Sequence, residues 1–350
     1  MKFKEITTQG APYERGLSYG QQCQKEIGVS IQVYGNLFKE LKGLSWEDAR
    51  KISEFYLSKT RDFAPAYAEE MQGIADGAKV DLLDIAALNA RTEIMFAQLE
   101  AQECTTLSLL PPATAGGKVL AAQNWDFYRE LRDSMVILHV HQEGKPNFVT
   151  VTEAGMIGGI GMNDQGIGVL LNALTADVSC QGIPLRTRMR AMLDSETIYE
   201  AYSLGSEKPT TVGHLVATHK DALTIAFEMD SNTVETMLPE DGVWAHTNHY
   251  VGPKMYQAHD ANPRGSTYIR LQRIQALIKE SYGKITKETV MDMLRDHAGY
   301  PYALCTHENP KDPVTSQYVT NYGIIMDLTE GCFYLAPGNP CESEFEKYEV

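Results

Sequence analysis

The chain has 350 residues, of which 43% are hydrophobic and 22% charged, so it can bury a sizeable core. Its formal net charge of −15 argues against nucleic acids and anionic membranes as partners, because a surface of this sign is repelled by both. No apolar run follows the N-terminal lysines, and no stretch approaches the roughly 20 apolar residues of a membrane span, so a cytoplasmic protein is expected.

The first hundred residues are predicted to be mostly helical. Apolar residues recur at steps of three and four across about 12–41. Ser45 is followed closely by two acidic residues, which is the pattern of a helix N-cap with an acidic first turn. Two more helices are expected at about 65–78 and 82–98, the first of them opened by a proline.

The pattern changes at Cys104, where short β-branched or alternating runs begin, separated by Gly, Pro and Asn. Helices return at about 186–204, 268–281 and 286–297, and two strands close the chain. Consecutive hairpin strands flanked by helices indicate an α+β layered fold with antiparallel sheets, in a single domain over 1–350. The predicted strand runs include CTTLSLL, KVLAAQNWDF, MVILHVHQ, NFVTVTEAG, GIGVLLNAL, LTIAFEMD and TVETMLP.

Several familiar motifs are absent from this sequence. In GMIGGIGMNDQGIG, Asp164 stands where a dinucleotide-binding loop has its third glycine, so we interpret these glycines as tight turns or close backbone approaches. His246 and His249 lie three apart, downstream of His214 and His219, but on a strand the first two would face opposite sides. The six cysteines form no CxxC pair. We therefore expect no cofactor and no metal.

Cys104 has two interpretations. Free cysteine is among the most buried residue types, so a core role is the ordinary one. Thr105 and Thr106, however, place hydroxyl groups beside the thiol, and QNWDF at 123–127 sets the Asp126 carboxylate inside an apolar strand. A buried carboxylate needs hydrogen bonds or a positive partner, and an ammonium group is one such partner.

A nucleophilic Cys104 requires a base, and the residues leave two sources open. His246, His249 or His307 could approach the thiol in space. Alternatively, the peptide bond before Cys104 is cut, and the freed α-amine, with a pKa of about 7.7–8, accepts the thiol proton.

The order of the motifs along the chain resembles that of the acyl-coenzyme A:6-aminopenicillanic acid (isopenicillin N) acyltransferase family, a branch of the N-terminal nucleophile (Ntn) hydrolases. The resemblance implies a four-layer αββα sandwich with two antiparallel sheets. It also implies self-cleavage between Glu103 and Cys104 into a helical part, 1–103, and a catalytic part, 104–350. The matching segments are APYERGLSYGQQ, EEMQGIADGAKVDLLDIAALNARTEI, CTTLSL, QNWDF, TEAGMIGGIGMNDQGIGVLLNAL, HTNHY and IIMDL.

The same resemblance implies roles for individual residues. Cys104 is the nucleophile, with its freed amine as the base. Asn248 in HTNH matches the asparagine that stabilises the oxyanion, and Asp126 matches the aspartate that helps orient the amine. Thr106 is a neighbouring hydroxyl near the nucleophile. These assignments compete with ordinary structural ones: Asn248 as a turn cap and Asp126 as a partner for buried backbone groups.

Two positions depart from the family pattern. Glu103 stands where the penicillin enzyme has glycine, which bears on the rate of self-cleavage. Family members often carry Cys-Arg-His near the C-terminal strands, whereas this chain has Cys305-Thr306-His307 and no arginine after Arg295. The sequence therefore leaves open whether an arginine contacts the site.

Three functions are compatible with the sequence. The first is an autoprocessed cysteine hydrolase that cleaves a linear amide, in a non-peptide or a small peptide, through a Cys104 thioester. The second is an acyltransferase that moves the acyl group of a thioester, such as acyl-CoA, to an amine. The third is an uncleaved, inactive relative that binds a ligand. The expected partner is a small-molecule amide or acyl thioester, and a homo-oligomer is left open.

Overall fold

A computed structural model describes residues 2–95, 104–176, 181–208, 211–258, 265–313 and 317–350. None of the helices in these ranges combines the length and apolar character needed to cross a bilayer. The helices are α1 (Pro12–Gln22), α2 (Gln24–Lys42), α3 (Trp46–Phe63), α4 (Pro65–Ala78), α5 (Leu82–Asn89), α6 (Arg91–Met95), α7 (Leu185–Leu193), α8 (Ile198–Ser206), α9 (Pro253–Ala258), α10 (Gly265–Ser281) and α11 (Lys287–Leu294).

The described strands form an eight-stranded sheet and a six-stranded sheet. Their orders are β1-β4-β5-β6-β7-β8-β9-β10 and β11-β2-β3-β12-β13-β14. Neighbouring strands are antiparallel except β1, which pairs parallel with β4. The strands are β1 (Lys4–Gln9), β2 (Thr105–Leu109), β3 (Leu120–Tyr128), β4 (Met135–His141), β5 (Phe148–Glu153), β6 (Ile160–Asn163), β7 (Ile167–Asn172), β8 (Gly213–His219), β9 (Leu223–Met229), β10 (Val234–Met237), β11 (Val243–His246), β12 (Tyr318–Asp327), β13 (Cys332–Pro337) and β14 (Glu346–Glu349).

The elements stack as helix, sheet, sheet and helix. α2, α7 and α8 pack on the eight-stranded sheet, and α10 and α11 pack on the six-stranded sheet. The two sheets face each other where β2 and β3 meet β7. This arrangement confirms the predicted αββα sandwich, with one parallel strand pair at the edge as the difference.

The N-terminal part is less purely helical than predicted. The helix expected over 12–41 is divided at Cys23, and β1 precedes it as an edge strand. The segment of β1, KEITTQ, carries a single strongly apolar residue, so its periodicity is weak and only its pairing with β4 defines it. Ser45 does cap α3, with its hydroxyl accepting from the Asp48 amide as part of a capping box.

The glycine-rich segment contributes a strand as well as turns. β6 includes Gly161, where a Cβ atom would lie 2.0 Å from the Val149 carbonyl oxygen of the neighbouring strand. A side chain cannot fit at that distance, so the glycine permits a close backbone approach, which is the second of the two interpretations made from the sequence.

Helices α1 and α4 cross with their backbones nearly in contact. A Cβ atom on Gly16 would lie 2.0 Å from the Glu70 carbonyl oxygen, and one on Gly73 would lie 2.2 Å from the Tyr13 carbonyl oxygen. Gly20 and Gly77 repeat the arrangement one turn along. The motifs YERGLSYG and GIADG are thus the two halves of one helix crossing.

A buried ion-pair cluster joins helices α2 and α6 to β5 and α7. The Glu153 carboxylate at the end of β5 lies 3.4 Å from Arg91 Nη2 of α6 and 3.1 Å from Arg186 Nη2 of α7. Tyr34 of α2 donates to Glu153 Oε1 at 2.7 Å. Because this cluster joins residues on both sides of position 104, it would hold the two parts together after a cut there.

Candidate active site

Sheet register places the predicted site residues around the start of β2. Thr106 pairs with His246 on one side and Gln123 on the other. Because both neighbours run antiparallel to β2, Asn248 and Asp126 lie beyond the N-terminal end of that strand, on either side of Cys104. All of these residues are buried.

Cys104 is held by polar contacts at its amide nitrogen, thiol and carbonyl. Its amide nitrogen donates to Asn248 Oδ1 at 2.7 Å. Its Sγ contacts the Asp126 carbonyl oxygen at 3.8 Å. Its own carbonyl oxygen accepts from Arg270 Nη1 at 2.8 Å. The backbone and the thiol of Cys104 are therefore both fixed in place.

The Asn248 side chain is positioned at both ends of its carboxamide. Nδ2 donates to the Ala173 carbonyl oxygen at 3.0 Å, just after β7, and Oδ1 accepts from Arg270 Nη2 at 3.0 Å as well as from Cys104. The Asn248 backbone nitrogen donates to Thr267 Oγ1 at 2.8 Å. Asn248 thus connects β2, β7 and α10 at the point where Cys104 begins.

Arg270 is the site residue that the sequence did not identify. It extends from α10, is buried, and also donates to Thr105 Oγ1 at 3.1 Å. An arginine contact does exist at this site, supplied by α10 instead of the region near the C-terminal strands. One signal was present: Arg270 lies on the same helical face as Thr267, Ile274 and Ile278, all of them buried, where a lone arginine needs partners.

The electrostatic environment keeps the thiol protonated in the uncut chain. Burial, and then the charge of Asp126, raise the pKa of the Cys104 thiol to about 12, against a smaller lowering effect of Arg270. Asp126 Oδ2 accepts from Thr306 Oγ1 at 3.3 Å. A nearby base is therefore needed before Cys104 can act as a nucleophile near neutral pH.

Thr106 lies beside the site but hydrogen-bonds elsewhere. Its hydroxyl donates to Asn172 Oδ1 at 2.7 Å and is 3.4 Å from the His246 carbonyl oxygen. Asn172 also contacts His214 Nδ1 at 2.8 Å. Within the described ranges Thr106 makes no hydrogen bond to Cys104, so any effect on the nucleophile is through strand position.

The histidines considered as bases have other partners. His246 Nε2 lies 2.9 Å from Glu228 Oε1, and His249 Nδ1 lies 2.8 Å from Thr267 Oγ1. His307 lies near Cys305 and Cys341. In the part of the chain that the structure describes, none of these three histidines hydrogen-bonds to the Cys104 thiol. The geometry thus gives no support to a Cys-His pair.

Among the described residues, His214 and His219 form no cluster of potential metal ligands with His246 and His249. The rings of His214 and His246 stack at 3.7 Å, and Trp244 donates to His214 Nε2 at 3.2 Å. Burial and the neighbouring His246 hold the pKa of His214 well below its usual value. The stack is therefore a buried part of the site wall. Glu103, the other residue of the predicted cleavage bond, lies outside the described residues.

Comparisons with known proteins identify the family of this chain. The sequence profile of the family described as acyl-coenzyme A:6-aminopenicillanic acid acyl-transferase matches residues 113–340. The chain is 29% identical over 315 residues to the 40 kDa form of acyl-coenzyme A:6-aminopenicillanic-acid-acyltransferase from Emericella nidulans, covering 86% of this chain and 84% of that protein. It is 22% identical to the β-alanyl-dopamine/carcinine hydrolase of Drosophila melanogaster, covering 97% of this chain and 94% of that protein.

A solved structure has the same fold. A variant of conjugated bile acid hydrolase from Clostridium perfringens superposes with a TM-score of 0.50 at 14% identity, covering 71% of this chain and 97% of that chain. The fold is that of the Ntn hydrolases. Because the family profile spans well over half of the sequence, the chain belongs to the acyl-coenzyme A:6-aminopenicillanic acid acyl-transferase family.

Proposed function

We propose that this chain is an autoprocessed cysteine Ntn hydrolase that cleaves a linear amide bond through an acyl thioester on Cys104. It is an enzyme of a family whose relatives transfer or hydrolyse acyl groups at C–N bonds. The observation that carries the proposal is the 2.7 Å contact between the Cys104 amide nitrogen and Asn248 Oδ1, with Arg270 on the adjacent carbonyl. Hydrogen bonds that fix the backbone of Cys104 are what we expect if its nitrogen, once freed by cleavage, acts as the catalytic base.

Maturation begins with attack of Cys104 Sγ on the Glu103 carbonyl carbon. The C–N bond to Cys104 breaks, the thiol proton ends on the Cys104 nitrogen, and a thioester forms between Glu103 and Sγ. Water then adds to the thioester and the C–S bond breaks. The products are a Glu103 carboxylate, a free thiol and a free α-amine on Cys104.

In turnover, the freed amine takes the Cys104 thiol proton as Sγ attacks the substrate carbonyl. The Asn248 Nδ2 group has two hydrogens, of which the Ala173 carbonyl takes one, and we assign the other to the oxyanion. The Cys104 ammonium, oriented by Asn248 Oδ1 and compensated by Asp126, protonates the leaving nitrogen. Water then hydrolyses the acyl thioester.

Acyl transfer is the second candidate. It is favoured by the 29% identity, over most of both chains, to an acyltransferase. The two reactions share the acyl thioester and differ in whether water or an amine attacks it. In the carcinine hydrolase relative, at 22% identity, the acceptor is water. We therefore propose small amides of amino acids or amines as the first substrates to test.

Intact mass of the purified protein tests maturation. We expect two fragments divided between Glu103 and Cys104, and a single chain for Cys104→Ala. Cys332→Ala, which removes a buried cysteine at the start of β13, is the control and should still divide. A single wild-type chain whose Cys104 is not labelled by a thiol electrophile would favour the inactive ligand-binding relative instead.

Product analysis separates the two reactions. The matured protein is incubated with an acyl thioester or with carcinine, each with and without 6-aminopenicillanic acid as an added amine. Release of free acid alone supports hydrolysis. A new amide whose yield rises with the amine concentration supports transfer.

A further inference from the structure

Four potential metal ligands converge at a site that the proposed chemistry does not use. The side chains of His297, Cys305, His307 and Cys341 bring two imidazole nitrogens and two sulfurs within 4.8 Å of one another. Cys305 is buried, His307 is half-buried, and His297 and Cys341 are exposed. The cluster therefore has a protein-facing side and an opening to solvent.

Four of the six distances between these ligand atoms are close to those of a tetrahedral metal centre. Zinc bonds of about 2.3 Å to sulfur and about 2.0–2.1 Å to nitrogen place ligand atoms on a tetrahedron roughly 3.8 Å apart for two sulfurs, 3.5 Å for sulfur and nitrogen and 3.3 Å for two nitrogens. Here the Cys305 and Cys341 sulfurs are 3.5 Å apart, and the two Nε2 atoms of His297 and His307 are 3.1 Å apart. His307 Nε2 lies 3.8 Å from Cys305 Sγ and 3.4 Å from Cys341 Sγ.

Neighbouring residues fix the positions of the ligands through hydrogen bonds to Cys305 and to the backbone of the loop that carries it. Asn339 Nδ2 lies 3.5 Å from Cys305 Sγ and donates to the Thr306 carbonyl oxygen at 2.8 Å. An N–H group directed at sulfur is a typical outer contact of a thiolate ligand. The backbone nitrogens of Cys305 and His307 donate to the carbonyls of Asp296 and Pro301, at 3.1 and 2.8 Å, so the loop that carries three ligands is closed on itself.

We propose that these four residues form a structural Zn²⁺ site. Two thiolates and two imidazoles satisfy zinc without an open coordination position, which is characteristic of a structural centre. The metal would join the 296–307 loop to the turn around Cys341, which follows β13. This proposal departs from the expectation of no metal drawn from the sequence, where the ligands come from two separate segments with none of the usual short spacings.

A single residue, Thr306, links the proposed zinc site to the active site. Thr306 stands between two of the ligands, and its hydroxyl donates to Asp126 Oδ2 at 3.3 Å. Asp126 in turn contacts the Cys104 thiol through its carbonyl oxygen. Metal binding would therefore fix the position of Thr306 and so of its hydrogen bond to Asp126. The metal itself would not contact a substrate.

Metal binding is tested with Zn²⁺ and Co²⁺ alone as probes on the full chain. We expect about one Zn²⁺ per chain by elemental analysis of protein purified under reducing conditions. After chelation, Co²⁺ should bind with the absorption of a tetrahedral thiolate centre, and Zn²⁺ should displace it. Thermal unfolding should shift to lower temperature when the metal is removed and recover when Zn²⁺ is returned.

Cys341→Ser and His297→Gln are the informative variants, because both residues are exposed and their replacement leaves the core intact. Each should lose the thiolate spectrum or weaken Co²⁺ binding at least tenfold. Cys332→Ser and His141→Gln are matched controls away from the cluster and should bind as wild type. Equal binding by Cys341→Ser overturns the proposal, as does a Cys305–Cys341 disulfide whose reduction restores no metal uptake.

Discussion

The amide nitrogen of Cys104 lies 2.7 Å from the Asn248 side-chain oxygen, across the gap between β2 and the end of β11. In the uncut chain this contact fixes the peptide that the thiol would attack. After cleavage the same oxygen would accept from the α-amine. One asparagine can therefore orient the cysteine in both states, which makes its replacement the sharpest test of the site.

Asn248→Ala should slow both self-cleavage and substrate turnover by about 10²–10³, the usual effect of losing an oxyanion donor. The rate of precursor loss is followed on a denaturing gel, and turnover by release of free acid. Asn147→Ala removes a partly exposed asparagine that bonds Asp164 and should change neither rate. Wild-type rates in Asn248→Ala would remove Asn248 from the mechanism.

Arg270→Gln should slow maturation roughly ten- to hundredfold, because it loses charged hydrogen bonds to the Cys104 carbonyl and to Asn248. Arg270→Lys should recover only part of the rate, since a single ammonium cannot reproduce the two-pronged contact. Lys279→Gln, on an exposed position of the same helix, is the charge-matched control. If Arg270→Gln and Arg270→Lys mature at the same rate as Lys279→Gln, Arg270 is not required for maturation.

Gly73→Ala should destabilise the fold by several kcal/mol, because its Cβ would lie 2.2 Å from the Tyr13 backbone oxygen and force α1 and α4 apart. Gly28→Ala in α2 meets no atom within 4 Å and should stabilise the helix by up to about 1 kcal/mol. Urea unfolding of both variants measures the difference. Similar stabilities would contradict the backbone-to-backbone crossing.

Glu153→Ala should cost about 3–5 kcal/mol of unfolding free energy, because it leaves Arg91 and Arg186 buried without their shared carboxylate. Glu349→Ala breaks an exposed pair with Lys347 and should leave the unfolding free energy close to that of the wild type. In the matured wild type, both fragments should elute together in size-exclusion chromatography. Loss of the N-terminal fragment on dilution would mean that this cluster does not hold the parts together.

His249 should make the folded protein acid-sensitive. Burial, and then the positive charge of His246, lower the pKa of His249 to about 4. The unfolded chain therefore binds more protons than the folded one between this value and the ordinary histidine pKa of about 6.5, so the unfolding free energy falls as pH drops through that window.

His249→Asn removes this linkage and should reduce the difference in unfolding free energy between about pH 7 and about pH 4.5. The Asn carboxamide has both a donor and an acceptor, so it can keep a hydrogen bond with the Thr267 hydroxyl. His141→Asn, at an exposed position, is the control and should show the wild-type difference. An unchanged pH dependence in His249→Asn would show that His249 is not the titrating group.

Local patterns were enough to predict most elements and the fold. Three features depend on neighbouring residues only. They are the capping sequence at Ser45, the proline at the start of α4, and the hairpin formed by Leu223–Met229 and Val234–Met237. The ordered motifs led to the correct family and layer arrangement. Edge strand β1 was missed because its pairing with β4 joins segments far apart in sequence.

The sequence by itself determined which residue is the candidate nucleophile. The motifs that flank Cys104, and their order along the chain, are visible without the structure. The tertiary structure alone decided what surrounds it. Arg270 reaches Cys104 across 166 positions, and the cysteine-histidine cluster gathers His297 and Cys341 from separate segments. Short-range periodicity reports which face of an element is buried, whereas partners for a buried charge or thiol are fixed only when distant elements pack.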